Sequence, residues 1–234
     1  MSAKPRLDHI RDLAETHPRI QQFGQPDDDE VHNGSTACTH AICQFLALVW
    51  NGEELSLNQV NRLAGMPKNA MSKDGKPRGM RPTELAHFLA KARIPMHIKF
   101  GISFEGLLAR SDRGPVFYGM RYGSAPTMKV GAAAAEGPFG FARPFGHAGA
   151  TQRDAADTRH AVVMLGFLER RGPDGKLLAT DVFRKEPNHG SPNRPERPPY
   201  DRIFAHQARR EYNDYRDKLG LHLYAAVPTQ SLKF

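Results

Sequence analysis

The stretch His160-Ala161-Val162-Val163-Met164-Leu165-Gly166-Phe167-Leu168, followed by Gly172-Pro173-Asp174-Gly175 and Leu177-Leu178-Ala179-Thr180-Asp181-Val182-Phe183, decides the fold class. The first run is apolar, rich in strand formers and bounded by turn chemistry, which reads as a buried strand. Gly-Pro-Asp-Gly is a turn, and the second run is another strand, so the pair predicts an antiparallel hairpin. After it, Glu186 to Pro199 is a proline-rich loop and Tyr200 to Leu219 reads as a charged amphipathic helix. Leu221, Leu223, Ala225 and Val227 then alternate as a closing strand.

Upstream the period changes from two to 3.6. Leu7, Ile10, Leu13 and Ala14 lie on one face of a short N-terminal helix, and Gln21 to Gly34 is polar loop. Gly34-Ser35-Thr36 offers capping residues, after which Cys38, Ala41, Ile42, Phe45, Leu46 and Val49 recur at helical spacing until Asn51-Gly52. Ser56 with Gln59 forms a capping-box pattern for a helix that ends near Gly65. Pro82 starts another, and Met96, Ile98 and Phe100 alternate as a strand. Ser103 caps a short helix, and Pro115 to Met120 is a strand. Helices first and antiparallel strands later make an α+β fold without internal repeat. The expected organisation is an N-terminal arm and short helix over residues 1–32 and a single domain over 33–234. A Gly- and Ala-rich insertion occupies 131–158.

Composition bounds the rest. The chain has 234 residues, 39% hydrophobic and 25% charged, enough for a substantial core and far from a disordered composition. Its formal charge of +8 suits polyanions, and the basic residues gather late, in Arg184, Lys185, Arg194, Arg197, Arg202, Arg209, Arg210, Arg216 and Lys218. Polyanion contact through this basic C-terminal third is one expectation, and a solvated surface is the plainer one. No apolar signal region or membrane-length stretch occurs, so the expectation is a soluble protein without signal peptide or membrane insertion.

Cys38 in the first turn of a buried helix meets the positive end of the helix dipole and free backbone N–H groups, both of which favour thiolate. A thiol nucleophile needs an imidazole as base and a carboxylate or amide to hold the imidazole. His160 opens a strand and Asp181 lies on the next one, at what the turn predicts to be the same end of the hairpin. Each residue also has a plain reading: Cys38 as a small core residue beside Ile42 and Phe45, and His160 as an ordinary strand-opening polar group. Cys43, about 140° around the helix, reads as structural, and His40 does not share a face with Cys38. No paired Cys or His spacing suggests a metal, and no glycine-rich phosphate loop occurs, so neither metal nor cofactor is expected.

The order of these elements resembles the papain-like peptidases that process the double-glycine leader peptides of bacteriocins, with their bacterial and phage relatives. Ser35-Thr36-Ala37-Cys38 with the apolar helix to Gly52 is similar to that family's nucleophile helix. Gly79 to Tyr118, with its step Gly114-Pro115-Val116, is similar to its middle region. His160 to Gly166 resembles its histidine strand and Ala179-Thr180-Asp181 its aspartate strand, so the resemblance spans roughly 33–188. It implies a papain-like cysteine peptidase fold whose nucleophile helix packs on a C-terminal antiparallel sheet. It also implies a Cys38-His160-Asp181 triad hydrolysing a peptide or amide bond. The family's oxyanion glutamine, six residues before the nucleophile, is His32 here; the adjacent Asn33 offers a side-chain N–H instead. Expected substrates are a peptide, a protein or a peptidoglycan-type polymer, in the cytoplasm or a phage virion. The alternative is a catalytically silent binding or structural module on the same scaffold, such as a virion or wall-contacting component. Residues 131–158, immediately before the base, read as either a lid over the cleft or a surface loop.

Overall fold

The computed structural model describes residues 3–16, 38–67, 79–121, 159–185, 200–219 and 223–233. The chain runs α1 (Ala3–Thr16), α2 (Cys38–Asn51), α3 (Leu57–Ala64), α4 (Pro82–Lys91), β1 (Met96–Phe100) and α5 (Phe104–Ser111). It continues with β2 (Val116–Arg121), β3 (Arg159–Arg171), β4 (Leu177–Lys185), β5 (Asp201–Phe204), α6 (Ala205–Leu219) and β6 (Tyr224–Pro228). Helix and antiparallel sheet together make the α+β class expected from the order of periods.

Local chemistry sets the boundaries. Ser56 accepts from the Gln59 backbone N–H while the Gln59 side chain accepts from the Ser56 N–H, the reciprocal box read from the sequence. Pro82 opens α4, and the Ser103 hydroxyl accepts from the Gly106 N–H to open α5. Gly65 closes α3 in the left-handed conformation, where a Cβ would be strained.

Six strands form one sheet in the order β1-β6-β2-β3-β4-β5, each pairing antiparallel. The last strand inserts between β1 and β2, so β6 is central and buried along its whole length. Both faces of the sheet are covered. Ala161, Val163 and Leu165 join one core with residues of α1, α2, α3 and α4; Val162 and Met164 join a second core with residues of α5 and α6. This double burial explains why β3 is apolar without alternation, a pattern set by coverage on both faces. Among the described residues no helix is long and apolar enough to cross a membrane.

One element differs from its reading. The segment expected to be helical from Tyr200 begins instead as β5, and the helix starts at Ala205. Asp201 to Phe204 pairs with Asp181 to Arg184 and buries only Ile203, a period of two that four residues satisfy and the longer helical pattern obscures. Residues 131–158, considered above as a lid, lie outside the described residues, as do Asn33 and the Gly34-Ser35-Thr36 cap.

Candidate functional site

Cys38 is the first residue of α2 and is 8% exposed, in the same core cluster as Ile42 and Phe45. The far end of the helix is anchored twice. Trp50 packs its indole against Gly114, and the Asn51 side-chain amide donates to the Ala92 carbonyl at 2.6 Å. Gly114 precedes β2, and Ala92 precedes β1, which runs in the same direction as β2 because both are antiparallel to β6. Both anchors therefore lie at the end of the sheet where β2 begins. Fourteen helical residues extend about 21 Å from there, across β3, which α2 touches. The N-terminus of α2, with Cys38, is the helix end remote from these anchors.

His160 is the second residue of β3 and pairs with Met120, near the last residue of β2. Its side chain lies outside the described residues. Position 160 shares its strand parity with Val162 and Met164, which belong to the core with α5 and α6, whereas α2 packs on the other face with Ala161, Val163 and Leu165.

Asp181 does not belong beside position 160, which corrects the triad read from the sequence. The β3–β4 register sets Asp181 opposite Leu168, eight positions along β3 from His160, or about 26 Å at strand spacing. Position 163 already pairs with Lys185, so β4 reaches the start of β3 with its last residues. The turn prediction was right about the hairpin and wrong about which residues share an end, because Asp181 is the fifth of the nine residues of β4 and not at its far end. Asp181 is 2% exposed and neutralised elsewhere. Arg170 donates to Oδ1 at 3.2 Å, and Arg202 donates to Oδ2 through Nε at 3.1 Å and also through Nη2. Its role is that of a buried carboxylate holding two guanidiniums between β3 and β5.

The other Cys and His of α2 are structural. Cys43 is fully buried with Sγ 4.0 Å from the Met80 Sδ, and burial, with the nearby Cys38 adding, pushes its thiol well above the usual range. His40 is 2% exposed, with Nε2 2.7 Å from Asn61 Oδ1; that pairing assigns the proton to Nε2 as donor. Burial lowers the His40 basicity, so the ring is a neutral peg between α2 and α3.

Sequence reading missed Lys185. It sits on β4 opposite Val163, on the sheet face that carries α2, and is 1% exposed. Burial brings its ammonium down to about 7. Its parity with Phe183, two residues earlier and also in that core, was the available signal. Grouping it with the surface charges hid it.

The basic C-terminal third is partly spent on internal pairs. Arg184 pairs with Glu211 and Asp201, Arg202 with Asp181, and Arg209 with Glu105. These pairs weaken the case for a polyanion surface built from those residues. Comparison of the chain with protein-family models, with curated proteins and with solved structures finds no match in any of the three.

Proposed function

We propose that the chain is a cysteine-dependent hydrolase of peptide or amide bonds on a papain-like scaffold, with Cys38 as nucleophile and His160 as its base. The observation that carries this reading is the place of Cys38, the first residue of the buried helix α2. Anchored at its far end by Trp50 and Asn51, that helix packs on β3, the strand that opens with Arg159 and His160. At a helix start the dipole and the free N–H groups favour the thiolate and stabilise an oxyanion forming beside it. The thiolate adds to the carbonyl carbon, and the Cys38 N–H, joined by the Asn33 amide, holds the oxyanion. Imidazolium at His160 gives its proton to the leaving amine, and water then cleaves the thioester.

A residue other than Asp181 orients the imidazole in this scheme. Glu186 and Asn188, which follow Lys185 in sequence, supply the carboxylate and the amide to exchange first. The test is labelling with an electrophilic peptide probe such as an epoxysuccinyl amide, read by intact mass and peptide mapping. The reading predicts one adduct on Cys38, absent in Cys38→Ala and slowed at least about a hundredfold in His160→Ala. Labelling at the rate of a simple thiol in both wild type and His160→Ala would refute it.

The second reading, a catalytically silent papain-like binding module, is favoured by one observation, the engagement of Asp181 by Arg170 and Arg202. It predicts that exchanging neither Glu186 nor Asn188 changes the reactivity of Cys38.

A further inference from the structure

β4 is nine residues long, yet β5 pairs only with Asp181 to Arg184. At Ala205 the chain turns into α6, and Leu177, Ala179 and Thr180 keep β3 on one side, with Leu178 the extra residue at a register shift, and have no strand on the other among the described residues. An open strand edge is normally blunted by charge, proline or a covering element. Leu177-Leu178-Ala179-Thr180 has neither charge nor proline. Beside it lies an open groove of about 320 Å³ lined by Leu178, Ala179, Thr180, Phe204, Ala205 and His206. The large apolar side chains exposed among the described residues are Phe100, Leu177, Leu178 and Phe204, and three of these four are at this corner. Phe204 is held in place, with the His206 ring stacked on it at 5.5 Å and the Arg170 guanidinium 5.6 Å from its centroid.

The charge at the rim gives the occupant its sign. Arg170 and Arg202, with side chains 49% and 55% exposed, share the single carboxylate of Asp181, which leaves one positive charge in excess among the described residues. Neighbouring Arg171 and Lys176 are matched by Glu169 and Asp174. A second copy of the chain would bring the same guanidiniums against these and carries the same +8.

We propose that the free edge of β4 from Leu177 to Thr180 is a peptide-docking site that adds an extended acidic segment as a strand. The backbone of the segment pairs with β4, an apolar side chain enters the groove between Leu178 and Phe204, and a carboxylate meets Arg170 and Arg202. The site is some distance along the sheet from His160 and stands independently of the Cys38 reading.

The experiment titrates the full chain into a fluorescein-labelled eight-residue peptide alternating glutamate and valine. Two controls accompany it: the same peptide N-methylated at alternate residues, in both registers, and a lysine–valine peptide. Anisotropy at low salt is expected to give a Kd of about 100 μM or tighter, weakened at least about tenfold by the lysine exchange and by N-methylation in one of the two registers. Leu178→Glu and Phe204→Ala, both at exposed positions, are expected to weaken binding by at least about tenfold with unchanged circular dichroism. Bound peptide should also slow amide exchange within Leu177 to Thr180. Undiminished binding of both N-methylated peptides, equal binding of the lysine peptide, or no binding at about 1 mM, overturns the proposal. Concentration-dependent dimerisation lost in Leu178→Glu overturns it as well, since the edge then serves a second copy.

Discussion

The Trp50 indole lies against Gly114 so closely that a Cβ at position 114 would sit 2.8 Å from its Cζ2. Gly114 has a φ of 157° and no side chain, which lets the ring close over the entry to β2 and lock the far end of α2. Gly114→Ala is expected to displace the indole and cost about 1–3 kcal/mol. Because Trp50 is the only tryptophan, its emission reports the shift directly, and a urea titration followed by that emission gives the loss of stability.

Exchanging Asp181 separates structure from chemistry. Asp181→Asn removes the charge shared by Arg170 and Arg202, and the two half-exposed guanidiniums can recover water, so the expected cost is about 1–3 kcal/mol. The alkylation rate of Cys38 should stay within about twofold of wild type at a temperature where both are folded. A selective loss of Cys38 reactivity at unchanged stability would restore Asp181 to the site.

Lys185 gives the stability a pH dependence of known sign. Its folded pKa is lowered from 10.5 to about 7, so between these values the unfolded chain holds a proton that the folded chain has released. Stability therefore rises with pH across that window, by up to about 1.4 kcal/mol per unit from this group, and below about 7 the full cost of the buried ammonium is present. Lys185→Met should flatten the rise. His40 acts on the acid side: its folded pKa lies below 6.5, so its contribution is present above 6.5 and is lost as the pH falls. Chemical denaturation of wild type, Lys185→Met and His40→Leu from pH 5 to 10 separates the two.

Arg93 is the one described non-glycine residue with positive φ, at 54°. Its N–H donates to Ala90 O and the Ile94 N–H to Leu89 O, the paired bonds that close α4 around a left-handed residue. Glycine meets that conformation without a Cβ penalty, so Arg93→Gly should raise stability by about 0.5–1 kcal/mol, measured by the denaturation midpoint.

Much of this architecture was legible because it is local. Ser56 and Gln59, Pro82, Ser103 and the turn at Gly172 to Gly175 each announce a boundary within four residues, and the apolar run after His160 announces a strand of a hairpin. Register was less legible. That Asp181 faces Leu168 follows from the count back to the turn together with a register shift between Arg170 and Arg171, which the alternation does not announce. The place of β6 between β1 and β2 was hidden for a related reason, since it rests on contacts far apart in sequence. Lys185 was lost because a long basic side chain inside a strand reads as surface until the packing of that strand is known.

The most direct test of the central claim is the rate of iodoacetamide alkylation of Cys38 between pH 5 and 9. It is measured in a Cys43→Ala background with His160 intact or replaced by alanine. The account predicts that at pH 6 Cys38 reacts at least about tenfold faster than a simple thiol, and that His160→Ala removes most of that advantage without unfolding the protein. A rate that follows an ordinary thiol across the whole range, identical with and without His160, would contradict it.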